Sequence, residues 1–324
     1  MNNFPNPNMN TTTMIIVIPC YNEQEVLAYT NNRIKEMLQQ MISDNIISSN
    51  SRILYVNDGS KDSTWQMIKQ LHDENPFVCG VNLSKNVGHQ NALVAGLTVA
   101  QDMGDTIITI DADLQDDINA IPEMIKKYQE GNDIVYGVRQ ERKTDSFLKR
   151  QSALFFYKLM ELLGVNTIFN HADYRLMSNR AVKGLLKYKE RNLFLRGIVP
   201  LLGYQTANVY YNRDRRTAGK SKYSFRKMLN FAIDGITSFS IRPVRMVFIL
   251  GLVFILISLC ILIYALHALL SGNAVQGWTS IILSIWFVGG CILMGLGIVG
   301  EYIGKIYTEV KERPRFNIEQ TLIK

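Results

Sequence analysis

Along the first 140 residues, short continuous apolar runs alternate with stretches whose apolar positions recur at helical spacing. Met14–Pro19 is a β-branched run that stops at a turn, and Glu23–Met41 has the spacing of a helix. Arg52–Asp58 predicts a second strand and Ser63–Glu74 a second helix. Val78–Leu83 with Gly88–Gln101 repeats the unit, as does Thr106–Asp111 with Ile118–Gln129, and Ile134–Val138 predicts a fifth strand. Apolar strands alternating with helices imply an α/β domain built on a mostly parallel sheet covered on both faces. Ligands of such sheets bind outside the carboxyl ends of the strands. The polar clusters fall there: Tyr21-Asn22-Glu23, Asn57-Asp58-Gly59-Ser60, Ser84 to Gly88, and Asp111 to Asp116.

Beyond residue 140 the pattern becomes irregular and more basic. Phe147–Gly164 and Ser224–Phe239 each carry an apolar helical face. Packing against the sheet and lying on a membrane both explain the first; Arg242, close after the second, favours the membrane for that one. Charged residues then vanish between Met246 and Leu270 and between Trp278 and Val299. Each run exceeds the roughly 20 apolar residues that cross a bilayer as a helix. Arg242 and Arg245 precede the first run, Lys305, Lys311, Arg313 and Arg315 follow the second, and the Ser271–Gly277 linker has neither Lys nor Arg. Positive flanks stay in the cytoplasm, so a two-span hairpin with both ends inside is expected. The expected division is a disordered lead (1–13), a catalytic domain (14–223), an amphipathic juxtamembrane helix (224–243), a hairpin (244–302) with spans near 246–270 and 278–300, and a cytoplasmic tail (303–324).

Composition narrows the function classes. The lead has neither the basic region nor the apolar core of a signal peptide, which keeps the large domain cytoplasmic. The 4 cysteines, Cys20, Cys79, Cys260 and Cys291, lack metal-ligand spacing and suit packed thiols in a reducing compartment. A net charge of +7 suits an anionic membrane or anionic ligands. No aromatic-basic module supports nucleic acid as a partner. The absence of G-x-G-x-x-G and G-K-[ST] loops counts against nicotinamide and P-loop enzymes. Two spans without intramembrane charge offer no path for a transporter.

Asp111-Ala112-Asp113 follows an apolar strand directly, so two carboxylates emerge together at the ligand edge. Carboxylates alone would repel a nucleotide diphosphate; Mg²⁺ or Mn²⁺, which takes oxygen ligands, resolves the conflict. Gln115 and Asp116 add oxygen donors nearby. Asp58 can accept from a base or ribose, Gly59 permits a tight turn, and Asp62 or Ser63 can cap the next helix. Each cluster alone is equally an ordinary strand–turn–helix junction; their convergence on one edge carries the information.

The segments IPCYNE, VNDGS, NVGHQNALVAGL and DADLQD, in this order and spacing, resemble the family 2 glycosyltransferases of GT-A fold. With ADYRLMSNRAV, RRTAGKSKYS and the two-span hairpin, the chain resembles the GtrB-type polyisoprenyl-phosphate glycosyltransferases, relatives of dolichol-phosphate mannose synthase, from about Met14 to Tyr302. The resemblance implies a Rossmann-like catalytic domain. It implies that Pro19, Tyr21, Glu23, Asp58 and Asn86 hold the nucleotide, that Asp111, Asp113 and Gln115 organise the metal and diphosphate, and that the chain assembles as a homo-oligomer, a tetramer. Many relatives carry Asp where this chain has Asn57. Gly137-Val138-Arg139 and Ser221-Lys222 match a G-x-R and an S-K of the family.

The implied donor is a UDP-sugar, glucose or N-acetylglucosamine, and the implied acceptor a polyisoprenyl phosphate. Family 2 enzymes invert the anomeric centre in one displacement. A hydroxyl acceptor needs a carboxylate base, whereas a phosphate monoester, with its second pKa near 6, arrives as a dianion. It needs cations and placement. Arg139, Lys149, Arg150, Arg216 and Lys222, with Ser221, are the candidates for holding it. Asp173, placed where some relatives keep an acidic catalytic residue, suits sugar hydroxyl binding or orienting an Arg. A membrane-anchored enzyme acting on a glycan hydroxyl is the alternative.

Overall fold

The computed structural model describes residues 11–139, 171–191, 195–212 and 277–324, with isolated positions between 244 and 263. The apolar segments Phe147–Gly164 and Ser224–Phe239, together with Lys149, Arg150, Arg216, Ser221 and Lys222, lie outside the described residues. The chain divides into two units, one from Met1–Phe155, Thr167–Tyr223 and Arg313–Lys324, the other from Phe156–Asn166 and Ser224–Glu312.

In chain order, the first unit contains β1 (Met14–Cys20), α1 (Leu27–Ser43), β2 (Arg52–Asn57), α2 (Thr64–Glu74), β3 (Val78–Leu83), α3 (His89–Ala100) and β4 (Thr106–Thr109). A short 3₁₀ turn (Ile118–Ala120) leads into α4 (Ile121–Gln129), then β5 (Ile134–Arg139), β6 (His171–Ser178), α5 (Asn179–Leu186), α6 (Leu195–Leu201) and β7 (Thr206–Tyr211). The last strand, β8 (Ile318–Leu322), returns from the far end of the chain. Among the described residues the sheet has 8 strands in the order β7-β5-β6-β4-β1-β2-β3-β8. The block β4-β1-β2-β3 is parallel, as is β5 with β7. Strand β6 runs antiparallel between β4 and β5, and β8 runs antiparallel on β3. The fold is thus α/β with a mostly parallel, mixed sheet.

Strand β1 is buried at all 7 positions, as a central strand covered on both faces must be. Helix α1 covers one face through Leu27, Ile34, Leu38 and Met41, at helical spacing. On α3, Gly96 has no side chain to spare: a Cβ there would stand 2.4 Å from Val17 Cγ1 and 2.8 Å from Val56 Cγ2. The glycine lets the helix lie directly on β1 and β2.

The elements up to β5 match the expected series, with α1 starting later because residues 21–26 form a turn. The fifth strand is not β4's neighbour. Strand β6 lies between them, bringing Asp173 and Arg175 into the sheet. In the second unit α7 runs from Trp278 to Val310, 33 residues. Its Phe287–Val310 portion, with mean hydropathy 1.6 over an 18-residue stretch, is by length and composition apolar enough to cross a membrane. The helix includes residues 278–300, expected as the second span, while the apolar candidate lies later, at Phe287–Val310; the first expected span falls largely outside the described residues.

Candidate active site

The loops after β1 and β2 are latched to each other. Asn22, in the left-handed region at φ 54°, donates its N–H to Ser60 Oγ at 3.0 Å and accepts from Lys61 N at 2.8 Å. Glu23 N donates to Thr64 Oγ1 at 3.0 Å, and Gln24 N to Asp62 Oδ2 at 3.3 Å. Asp62 also accepts from Thr64 N at 3.0 Å, capping α2. The next loop is clamped by Asp58, whose two oxygens accept from Val87 N at 2.7 Å and Gly88 N at 3.0 Å. Gly59 makes this possible: at φ +60° it sits where a Cβ would lie 2.4 Å from Asn86 N. Desolvation raises the Asp58 carboxyl, and the two amide bonds work against that rise. By fixing Val87 and Gly88, Asp58 fixes the start of α3 and therefore His89.

After β4 the chain turns sharply. Leu114 takes φ 46°, unusual for a bulky side chain, and Asp113 Oδ1 accepts from Gln115 N at 3.3 Å. Thr30 Oγ1 holds the turn from α1 by donating to Ala112 O at 2.6 Å. Asp116 is 2% exposed and accepts at one oxygen from Arg139 (2.8 Å) and from Tyr211 Oη (2.5 Å). Burial works against the charge on Arg139, yet Asp116 and Tyr211 hold its pKa above the ordinary range.

Facing this turn, Asp173 on β6 is the centre of a charged cluster. Its carboxylate accepts from Arg175 at 2.7 Å and from both Nε and a terminal nitrogen of Arg196, at 3.3 and 3.2 Å. His89 Nε2 lies 3.7 Å from Asp173 and 3.6 Å from Asp111, bridging the two walls. Burial disfavours the Asp173 anion, but Arg196, His89 and Arg175 together hold its pKa well below the carboxylate range. Asp111 goes the other way: desolvation pushes it up to about 6, His89 opposes, and the nearby Asp173, Asp116 and Asp113 add to the rise. His89 is raised, since Asp173 and Asp111 outweigh the desolvation that would lower it. Two carboxylates at one mouth therefore have opposite tendencies, Asp173 lowered by its cationic partners and Asp111 raised.

The glycosyl transferase family 2 model matches residues 15–186. The chain belongs to that family. Its relatives include the "Uncharacterized glycosyltransferase YkoT" of Bacillus subtilis (strain 168), 51% identical over 306 residues, 94% of this chain and 91% of that one. The "SfII prophage-derived bactoprenol glucosyl transferase" of Shigella flexneri is 41% identical over 308 residues, 94% of this chain and 97% of that one. The "Prophage bactoprenol glucosyl transferase homolog" of Escherichia coli (strain K12) is 40% identical over 310 residues, 94% and 98% of the two chains. Likeness at this level runs over most of the chain, and the expected kinship with GtrB-type glycosyltransferases stands.

Of the residues expected from the sequence, Pro19, Tyr21, Glu23, Asp58, Asn86, Asp111, Asp113, Gln115, Arg139 and Asp173 all lie at or beside the carboxyl ends of β1, β2, β3, β4 and β5 or on β6. Asn86 donates to Asp58 O at 3.2 Å, supporting the same loop that Asp58 clamps. His89, Arg175, Arg196 and Tyr211 are site residues the sequence reading did not single out. His89 stood inside the NVGHQ segment and Arg175 two places after Asp173, so both were within reach; Arg196 and Tyr211 lie in irregular sequence with no local signal. Among the described residues no three of His, Cys, Asp and Glu gather to hold a metal by themselves. The donor set still fits a hard cation, which takes one or two carboxylates and completes its shell with diphosphate oxygens and water. Asp113 at the mouth would supply such a ligand, and a cation there would offset the mutual repulsion of Asp111, Asp113 and Asp116, which adds to the desolvation that raises Asp111.

Proposed function

We propose that the chain transfers glucose, with inversion, from UDP-glucose to undecaprenyl phosphate or a similar polyisoprenyl phosphate at the cytoplasmic membrane face, supplying a lipid-linked sugar for cell-envelope glycans. The observation that carries this reading is the likeness to bactoprenol glucosyl transferases at 40–41% identity over 94% of the chain. The site's electrostatics support the acceptor class. Asp173, held ionised by two arginines and a histidine, is a poor base, which suits an acceptor that arrives as a dianion.

In this reading Pro19, Tyr21, Glu23, Asp58 and Asn86 line the nucleotide pocket, and Asp111 faces the ribose and diphosphate. Asp113 and Gln115 would hold Mg²⁺ or Mn²⁺, which neutralises diphosphate charge when bound. Arg139 lies at the acceptor phosphate, joined by Lys149, Arg150, Arg216, Ser221 and Lys222. Asp173 orients Arg196, gripping its guanidinium through Nε and one terminal nitrogen. Two spans, 246–270 and 278–300, anchor the enzyme with both termini inside and bring the acceptor to the site; the assembly is a homo-oligomer, a tetramer.

A second reading takes a glycan hydroxyl as acceptor, which would need a carboxylate of this mouth as its base. One experiment separates them. Purified protein with radiolabelled UDP-glucose and undecaprenyl phosphate as sole acceptor should yield undecaprenyl phosphoryl glucose, identified by mass. Label appearing only when a glycan is added would overturn the lipid-phosphate reading, and product formed only from UDP-N-acetylglucosamine would correct the sugar.

A further inference from the structure

A chain of hydrogen bonds through side chains and two main-chain N–H groups joins the edge of the sheet to the candidate nucleotide pocket. On β8, Glu319 Oε2 accepts from Asn82 Nδ2 of β3 at 2.7 Å. Asn82 Oδ1 accepts from Asn57 Nδ2 of β2 at 2.6 Å. Asn57 Oδ1 accepts from Ser60 N at 3.4 Å, and Ser60 Oγ accepts from Asn22 N at 3.0 Å. The chain of contacts therefore runs from the last strand, across β3 and β2, to the loop that carries Tyr21 and Glu23.

Its direction is forced. An ionised carboxylate accepts and never donates, while an amide does either according to which way it is turned. Glu319 therefore sets Asn82 with its NH₂ outward and its oxygen toward Asn57. That oxygen sets Asn57 with its NH₂ toward Asn82, leaving the Asn57 oxygen for the Ser60 N–H. Asn57 is 2% exposed, so water does not readily replace a mis-set partner.

We propose that Glu319 is a positioning residue for the donor site, fixing through Asn82 and Asn57 the turn that packs on the nucleotide-binding loops. The proposal rests on the reading of those loops as the UDP site. It has a consequence that simple packing lacks: residues 57 and 319 are coupled by hydrogen-bond polarity. An aspartate at 57 would set an acceptor against the Asn82 oxygen. Turning Asn82 over would relieve that contact but drive its oxygen against Glu319. A glutamine at 319, able to donate, removes the conflict.

The test is a double-mutant cycle on the full-length protein in detergent, with UDP affinity read by calorimetry and folding by thermal melts. Asn57→Asp should weaken UDP binding about tenfold with Glu319 in place, the size of one misdirected buried hydrogen bond. In the Glu319→Gln background the same substitution should cost about threefold or less. Glu319→Ala alone should weaken UDP binding measurably while the protein still melts cooperatively. Equal penalties in both backgrounds would overturn the positioning role, as would a penalty that 0.5 M salt, an arbitrary high concentration of about this size, erases, since that marks charge repulsion with the diphosphate. A wild-type protein that binds no UDP would instead overturn the reading of the site and the positioning role with it.

Discussion

Asp173 accepts from Arg175, itself 2% exposed, so the pair is a buried one. Breaking such a pair from one side leaves a charge uncompensated, and Asp173→Asn should destabilise the protein by about 3 kcal/mol. The sign of its pH dependence follows from the shift. The folded-state pKa lies below the unfolded value of about 4, so the stabilisation is complete above that value and is lost as pH falls through the folded one. Thermal melts of wild type and Asp173→Asn should differ most near neutral pH and converge in acid; a constant gap would contradict the argument. Transfer should stay measurable in Asp173→Asn, because the proposed role is orientation. Asp113→Ala should instead abolish transfer and leave the melting temperature nearly unchanged, its side chain standing on a turn at the mouth. Excess EDTA should do the same, reversed by Mn²⁺ or Mg²⁺, and full activity in chelator would remove the metal from the proposal. Arg139, expected from the sequence as a cation for the acceptor phosphate, is paired with an acid of its own chain. Because it partners the buried Asp116, Arg139→Ala should lower both kcat/KM for the acceptor, by roughly 10- to 150-fold, and the melting temperature.

The elements show why some of the architecture was legible and some was not. Strands β1 to β5 and helices α1 to α4 announce themselves because a buried parallel strand is a continuous apolar run and a covering helix repeats its apolar face. Strand β6 breaks that rule. It places Asp173 and Arg175 inside the sheet, so its sequence, His171–Ser178, lacks the apolar run that marks its neighbours. Strand β8 is harder still: Ile318–Leu322 is exposed at four of its five positions, and its partner β3 lies more than two hundred residues earlier. No local pattern can report such a pairing. Its polarity has a physical use, since a polar strand on the edge of an apolar sheet discourages pairing with other chains. Further contacts tie this tail down: Ser84 N donates to Asn317 O at 3.0 Å, and Lys324 Nζ donates to the carbonyl of His72. Ending the chain at Phe316 should therefore expose the β3 edge. At about 1 kcal/mol per lost hydrogen bond and 2–4 °C per kcal/mol, the melting temperature should fall on the order of 10 °C, with concentration-dependent light scattering. A truncated protein as stable and monodisperse as wild type would show that β8 contributes nothing.

At the scale of the whole molecule, the chain leaves its first unit for the proposed membrane region and then comes back, because Arg313–Lys324 belongs to the first unit. A deletion after Arg245 thus removes two things, the proposed hairpin and the strand that closes the sheet, and any loss it causes is ambiguous. Replacing residues 246–312 with a long flexible Gly/Ser linker separates them, since the returning strand is kept. If the hairpin serves to bring a membrane-bound acceptor near the site, this protein should melt close to wild type and bind UDP with near-wild-type affinity. Its transfer to undecaprenyl phosphate in vesicles should fall by about 10²-fold or more, the scale of a lost effective concentration. In detergent, where enzyme and lipid meet by free diffusion in either case, the gap should narrow. The simple deletion should be worse than the linker version in stability and UDP binding alike, by the contribution of β8. Should the linker version match full-length activity on vesicles, the membrane region does not deliver the acceptor. Should it lose UDP binding while still melting cooperatively, the membrane region shapes the nucleotide pocket, and its role is more than that of an anchor.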